Sequence, residues 1–477
     1  MLLTSKVWQI SFPLGLWCAV IAGISLWPLL RWFSRGGSYL PMVEVYCAMH
    51  IPGVVIPLLT IQLNVYEFPA ATLERVCLII SAYLIIVQAT ASVVVTSCRR
   101  NGGWRAAFLD RQLPVTAESF LAWTLLAVWW IGTALIFLRL FPEVGGAFQF
   151  ISTTLQMMGK ISLFLLFYRL GSGRLPHAAR WVLFLALFSQ LLMDFGSGFL
   201  VGGTTTLLLV LMAYAIAARR IPVIAGAVVF LVLSFLHAGK SEVRSRYWAE
   251  GANYSVYRLN PMEVYRVWLS ASWKAVLAQD KEARTAGQSF LTRAGVVQCV
   301  ARVVAETPEN LPYLKGETYL MTPPMFIPRV FWPDKPRASA PTERLAIYYG
   351  VQTEEGADVT AIGMGQIAEA WSNFGWMGVL AVGGVMGLLL SLPFRMGYRR
   401  APVSIGFLLG LPFLTLAFGL ENCLGPTIHA LTLHLVALGL VLYSVTRPAA
   451  RLRTEPRANQ TKPPGVRTNS TRSLRPL

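Results

Sequence analysis

Long apolar runs separated by short basic loops set the organisation of this chain. A bilayer core takes about 20 apolar residues per helix, and about eleven runs approach that length: 7–30, 40–63, 76–96, 120–141, 150–170, 181–200, 204–218, 221–236, 367–394, 402–420 and 426–445. The second is the least regular, because Glu44, His50 and the internal prolines Pro52 and Pro57 interrupt it. The pattern predicts an all-α polytopic integral membrane protein with about 11 transmembrane helices and one large extracytoplasmic loop.

That loop is the one large hydrophilic region, 237–365, too polar to span and too long to be an idle connection. Within it, 261–277 and 289–306 carry apolar positions at helical spacing and read as short amphipathic helices, followed by a proline-rich segment. The chain thus divides into an N-terminal bundle of about eight helices (1–236), the loop (237–365), about three C-terminal helices (366–446) and a tail (447–477). The tail's content of Pro, Arg, Thr and Asn predicts a disordered, lipid-attracted cytoplasmic tether.

Composition excludes a soluble globular protein: 55% of the 477 residues are hydrophobic, 13% are charged, and the mean hydropathy is +0.55. A net charge of +18 raises the question of nucleic acid, but the basic residues sit in short loops, where they act as topology signals. If all the runs cross, one side collects Arg31 and Arg35; Arg99, Arg100, Arg105 and Arg111; Arg169, Arg174 and Arg180; Arg219 and Arg220; Arg395, Arg399 and Arg400; and the tail. Together these are more than half of the chain's 41 basic residues. That side reads as cytoplasm, which places the N-terminus and 237–365 outside and the C-terminus inside.

Six scattered cysteines without CxxC form neither a disulfide framework nor a zinc site. His429 and His434 lie five apart on one run, without HExxH around them. The first run is long and lacks a small-x-small cleavage site, so it reads as a retained span. No DxD and no P-loop occurs, and no GxGxxG appears in the right context, so neither metal nor cofactor is expected. Lys160, Asp194 and Glu44 fall inside apolar runs; the plain reading pairs Lys160 with one of the two acids, and the alternative lines a groove.

The chemistry concentrates in GETYLMTPPMFIPRVFWPDKP, residues 316–336. Pro328, Pro333 and Pro336 stiffen the segment without regular hydrogen bonding, which makes side-chain placement exact. Arg329 offers a planar fork to phosphate oxygens and Lys335 a compact charge, while Tyr319, Phe331, Trp332 and Asp334 suit contact with a lipid-linked ligand. The plainer alternative is an interfacial loop whose cations only touch lipid phosphates.

The run TPENLPYLKGETYLMTPPMFIPRVFWPDKP, followed after a gap by GMGQIAEAWSNFGWMG, resembles the signature of Wzy-type O-antigen polymerases, the oligosaccharide repeat unit polymerases of bacterial envelopes. The resemblance is detailed over those two stretches and extends elsewhere only as topology. It implies a metal-independent glycosyltransferase in the bacterial inner membrane that joins polyprenyl diphosphate-linked glycan donor and acceptor on the outer face. Partners would be membrane lipids, a chain-length regulator and a flippase, with no nucleic acid. It further marks Arg329 and Lys335 as the motif's cations, and Glu369 and Asn373 as polar positions at the start of the next helix.

Roles follow from chemistry. Charge builds on the leaving diphosphate, so positioned cations accelerate the reaction: Arg329, Lys335 and Arg244 are the first candidates, with Arg246 and Arg293 as substrate contacts. Arg244 and Arg246 could equally snorkel at the membrane edge, and Arg293 could line a solvated helix face. Glu369 is the candidate general base for the acceptor hydroxyl, its alternative being a structural ion pair. A ligase that delivers the finished glycan elsewhere and a transporter of the same lipid-linked material are the rival functions; the lack of an internal repeat argues against the transporter.

Overall fold

The computed structural model describes residues 12–36, 39–59, 67–101, 115–137, 145–196, 200–248, 261–277, 295–327, 331–332, 334–359, 362–395 and 404–451. Among these the fold is helical: α1 (Phe12–Ser34), α2 (Met42–Ala48, continued through a π turn Ile51–Val55 into Ile56–Leu59), α3 (Ala70–Asn101), α4 (Val115–Phe137), α5 (Gly145–Gly171), α6 (His177–Gly196), α7 (Leu200–Ala218) and α8 (Val223–Ala238). Then come α9 (Lys240–Trp248), α10 (Pro261–Leu277), α11 (Val296–Glu306), α12 (Ala340–Tyr348), α13 (Glu354–Val359), α14 (Gln366–Arg395), α15 (Ile405–Ala417) and α16 (Leu424–Arg451). A helix coincides with each apolar run, and eight of the helical stretches are long and apolar enough to cross a membrane. Outward apolar side chains such as Trp27, Val93, Ile131, Trp181 and Ile224 are exposed along them, a surface suited to lipid rather than water.

The irregular second run is helical because its misfits are absorbed locally. The π turn accommodates Pro52, Glu44 Oε1 accepts from Tyr39 Oη at 2.7 Å, and His50 Nδ1 lies 3.0 Å from the Tyr46 carbonyl. A similar repair occurs in α1. Pro28 has no N–H for the Ile24 carbonyl one turn earlier, and Gln88 Nε2 of α3 donates to that oxygen instead, at 3.0 Å. In lipid no water could do this.

The main core joins α1 to α7 with α11, α12 and α14 to α16. Its most extensive helix pair is α14 on α3, drawn close by Gly383 and Gly387, one turn apart. A Cβ at Gly387 would stand 2.5 Å from the Val87 carbonyl oxygen, and one at Gly383 would stand 3.2 Å from that of Tyr83, the small-xxx-small logic of membrane helix contacts. A buried ion pair, Arg169 to Glu118 at 3.8 Å, ties α5 to α4. A smaller core gathers Phe195, Leu200, Leu207, Leu233, Leu236, Val243, Val264 and Trp268 from α6 to α10.

Within the hydrophilic region, α11 buries Val297, Val300, Val303 and Val304 against α3 and α14. The amphipathic helix expected over 289–306 is described from Val296, and 261–277 matches α10. The segment 447–451, expected as tail, continues α16, and the rest of the tail lies outside the described residues. The acids expected to meet Lys160 have other partners: Glu44 the Tyr39 hydroxyl, and Asp194 both Gln190 Nε2 (2.8 Å) and Thr206 Oγ1 (2.6 Å).

Candidate functional site

Gln366, Glu369 and Asn373 follow one another at i, i+3 and i+7, so they share one face of α14. All three are buried, a polar stripe on a mostly apolar helix. Each end of the stripe organises a different neighbour.

At the near end, Gln366 Oε1 accepts from Tyr46 Oη (2.6 Å) and Tyr83 Oη (3.2 Å), and its Nε2 donates to Thr427 Oγ1 (3.3 Å). One side chain therefore links α2, α3 and α16. At the far end the helix breaks, with Phe374 at φ −142° and Gly375 at φ 56°, ψ −134°. The second conformation suits glycine, and a Cβ there would also sit 2.8 Å from Tyr313 Oη.

A helix break leaves carbonyls without N–H partners, and here the loop 313–319 supplies them. Leu314 N donates to Ser372 O (3.0 Å) and Lys315 N to Asn373 O (3.3 Å). Asn373 completes the clamp: its Oδ1 accepts from Gly316 N (2.9 Å), and its Nδ2 donates to Thr318 Oγ1 (2.9 Å) and the Glu369 carbonyl (2.8 Å). Lys315 and Gly316 both adopt positive φ (50° and 95°) to make this turn, and for Lys315 that geometry is strained. The Tyr319 ring stacks on Phe374, with centroids 6.2 Å apart and planes 14° from parallel.

Glu369 lies in the middle of the stripe and is fully buried. Its Oε2 accepts from Leu424 N at 2.7 Å, at the start of α16, where the helix dipole favours a carboxylate. Its Oε1 has no well-formed hydrogen bond, although the Thr318 hydroxyl is beside it. Tyr319 Oη also lacks a partner among the described residues. Burial first, and the nearby Glu369 carboxyl second, hold the Tyr319 phenol far above its usual range, so it stays protonated. An acid beneath the docked turn and a phenol on it thus each keep an uncommitted oxygen, close enough for the carboxyl to act on the phenol's charge.

Around this hub, Glu317 Oε1 and Oε2 accept from Arg344 Nε (2.7 Å) and Nη2 (3.3 Å). That bond is the main reason the Arg344 guanidinium is held above its ordinary value. Arg75 lies 5.0 Å over the Trp371 ring and 4.0 Å from Glu309.

Of the residues singled out by sequence, Glu369, Asn373 and Tyr319 are brought together. Lys335 is tethered: its Nζ donates to the carbonyls of Met325 and Ile327, both at 2.7 Å, and so closes the proline-rich segment on itself. Trp332 and Asp334 are exposed beside it. Arg329 and Arg293 lie outside the described residues, as does the side chain of Arg244. Arg246 is exposed on α9, which packs with α8 and α10 in the smaller core. Sequence reasoning missed Gln366, Lys315, Gly316 and Thr318. The stripe spacing was legible for Gln366, and the Lys-Gly pair is a turn signal.

A family model described as "Domain of unknown function (DUF8712)" matches residues 116–392, which takes in both the docked turn and the polar stripe and stops short of α16. No curated protein and no solved structure matches the chain.

Proposed function

The chain belongs to the DUF8712 family, and because that description carries no activity we propose a function from the site itself. The protein is a membrane glycosyltransferase that polymerises polyprenyl diphosphate-linked oligosaccharide repeat units on the outer face of a bacterial inner membrane. The observation carrying this reading is the buried Glu369 carboxyl with one uncommitted oxygen under a turn held by Asn373. An acceptor hydroxyl attacks the anomeric carbon of the donor, its proton passes to Glu369, and the bond to diphosphate breaks with its electron pair on the departing oxygen. Lys315, exposed on the rim of the turn, joins Arg329 of the motif in stabilising that charge. Since Glu369 is closed over, the 313–319 turn lifts to admit the acceptor.

The resemblance of 307–336 and 363–378 to Wzy-type polymerases supports the substrate class. Eleven crossings would come from the eight long spans together with Gly145–Gly171, Val223–Ala238 and Ile405–Ala417, and the one-sided distribution of basic loops supports an outside N-terminus and a cytoplasmic C-terminus.

A second reading has its own observation: the Glu369 bond to Leu424 N makes the residue a cap for α16. Glu369→Gln separates the two, because the amide oxygen can still accept from Leu424 N but cannot take a proton. The assay is polymer formation from lipid-linked repeat units in proteoliposomes, read beside the melting temperature. Loss of polymer with melting unchanged supports the base; full polymerisation by Glu369→Gln removes it. Transfer of the finished glycan to an acceptor other than a lipid-linked repeat unit would favour the ligase, and movement of repeats across the bilayer without bond formation would favour the transporter.

A further inference from the structure

Helix α10 carries two apolar faces; among the described residues one is packed into the smaller core and the other is largely exposed. Val264, Trp268 and Ser272 are buried. Trp268 Nε1 donates to the Leu236 carbonyl, satisfying the last turn of α8, and Tyr265 Oη donates to the Leu192 carbonyl of α6 at 2.7 Å. The two backbones touch closely, since a Cβ at Gly239 would stand 2.6 Å from Ser272 N. α10 is therefore strapped across the ends of α6 and α8.

The other face holds Met262, Leu269, Trp273 and Val276, spaced seven, four and three apart and so aligned along the helix. Their exposures are 77%, 47%, 58% and 58%. Glu263, Ser270 and Lys274 form an exposed polar strip beside this face, with Arg266 on its border. Two observations say what covers the apolar face. First, it continues the outward stripe of α8: Ile224, Val228 and Leu231 are exposed at helical spacing, and the half-buried Phe235, next on the same face, meets the Trp273 ring edge-on at 6.2 Å. Second, α8 is short. Its 16 residues span about 24 Å, against a hydrocarbon core of about 30 Å. The exposed face of α10 supplies the missing apolar band at the end where α8 stops.

We propose that α10 is an in-plane interfacial helix, with Leu269, Trp273 and Val276 seated at the headgroup–acyl boundary of the lipid bilayer and Glu263, Ser270 and Lys274 in water. Tryptophan at that depth and a basic residue on the flank match the preferences of such helices. The assignment is independent of the reaction proposed above.

Nitroxide labels test it on the full chain in phospholipid vesicles. Five of the six native cysteines are buried, so labels introduced by Leu269→Cys, Trp273→Cys, Ser270→Cys and Lys274→Cys can be read in a Cys98→Ser background. Collision with oxygen, which partitions into lipid, is compared with collision by a water-soluble nickel chelate. The oxygen-to-nickel ratio should be several-fold higher at 269 and 273 than at 270 and 274. Equal ratios, with nickel reaching 269, would put the face in water and overturn the assignment. Immobile labels at 269 and 273 reached by neither reagent would overturn it too, in favour of a second copy of the chain. Should Trp273→Cys disturb the contact with Phe235, Val276→Cys reads the same face.

Discussion

Replacing Asn373 by alanine should release the 313–319 turn while leaving the helical bundle folded. The side chain is fully buried and makes three hydrogen bonds. Truncation costs little at the Glu369 carbonyl, which retains its place in the helix. The Thr318 hydroxyl can turn to Glu369 Oε1, which lacks a good bond. The Gly316 N–H is different: it has no alternative once Oδ1 is gone, and a buried orphan donor costs about 1–3 kcal/mol. With the lost packing of the amide, the turn loses about 2–4 kcal/mol of local stability. At about 1.4 kcal/mol per tenfold, amide exchange across 313–320 should accelerate roughly 30- to 1,000-fold. Hydrogen–deuterium exchange read by mass spectrometry on the detergent-solubilised protein measures this directly, with α3 peptides as the internal reference. Unchanged exchange in 313–320 would refute the clamp. A uniform rise across α3 and α14 would show global loosening instead, and equally defeat the reasoning.

Three further outcomes follow from contacts elsewhere. Gly387→Ala drives a Cβ into the Val87 carbonyl and should cost about 1–3 kcal/mol, whereas Gly384→Ala meets nothing closer than Thr90 Oγ1 at 4.0 Å and should be nearly neutral; equal melting shifts would sink the close-approach argument. Gln88→Ala should cost about 1–2 kcal/mol by orphaning the Ile24 carbonyl, and that cost should vanish in a Pro28→Ala background, where the backbone N–H returns; additive losses in the double-mutant cycle would contradict the repair. Arg344→Ala breaks a pair whose side chains are 39% and 41% exposed, so it should cost under about 1 kcal/mol and weaken further in salt; a thermal shift equivalent to more than about 2 kcal/mol would show that the pair is not solvent-screened.

Much of the site was legible in pattern. Glu369 and Asn373 stood out as polar residues at the head of an apolar run, and the spacing that adds the missed Gln366 to their face was there to be read. What could not be read was Lys335's attachment to the Met325 and Ile327 carbonyls, because a cation in a proline-rich segment looks the same whether it faces phosphate or its own backbone. Nor could the repair of Ile24 by Gln88 be read: Pro28 announced an orphan carbonyl, but its donor comes from another helix, 64 residues away.

Sequence alone determined where the long apolar helices lie, since the length and apolarity that lipid demands of a span are properties of consecutive residues. It also determined that 261–277 would be amphipathic. Only the tertiary structure decided that Gly316 rests on Asn373, 57 residues on, and that one apolar face of α10 closes on α8 while the other is left outward. Such pairings depend on how the chain returns on itself, and side-chain periodicity carries no information about which distant carbonyl will need a donor.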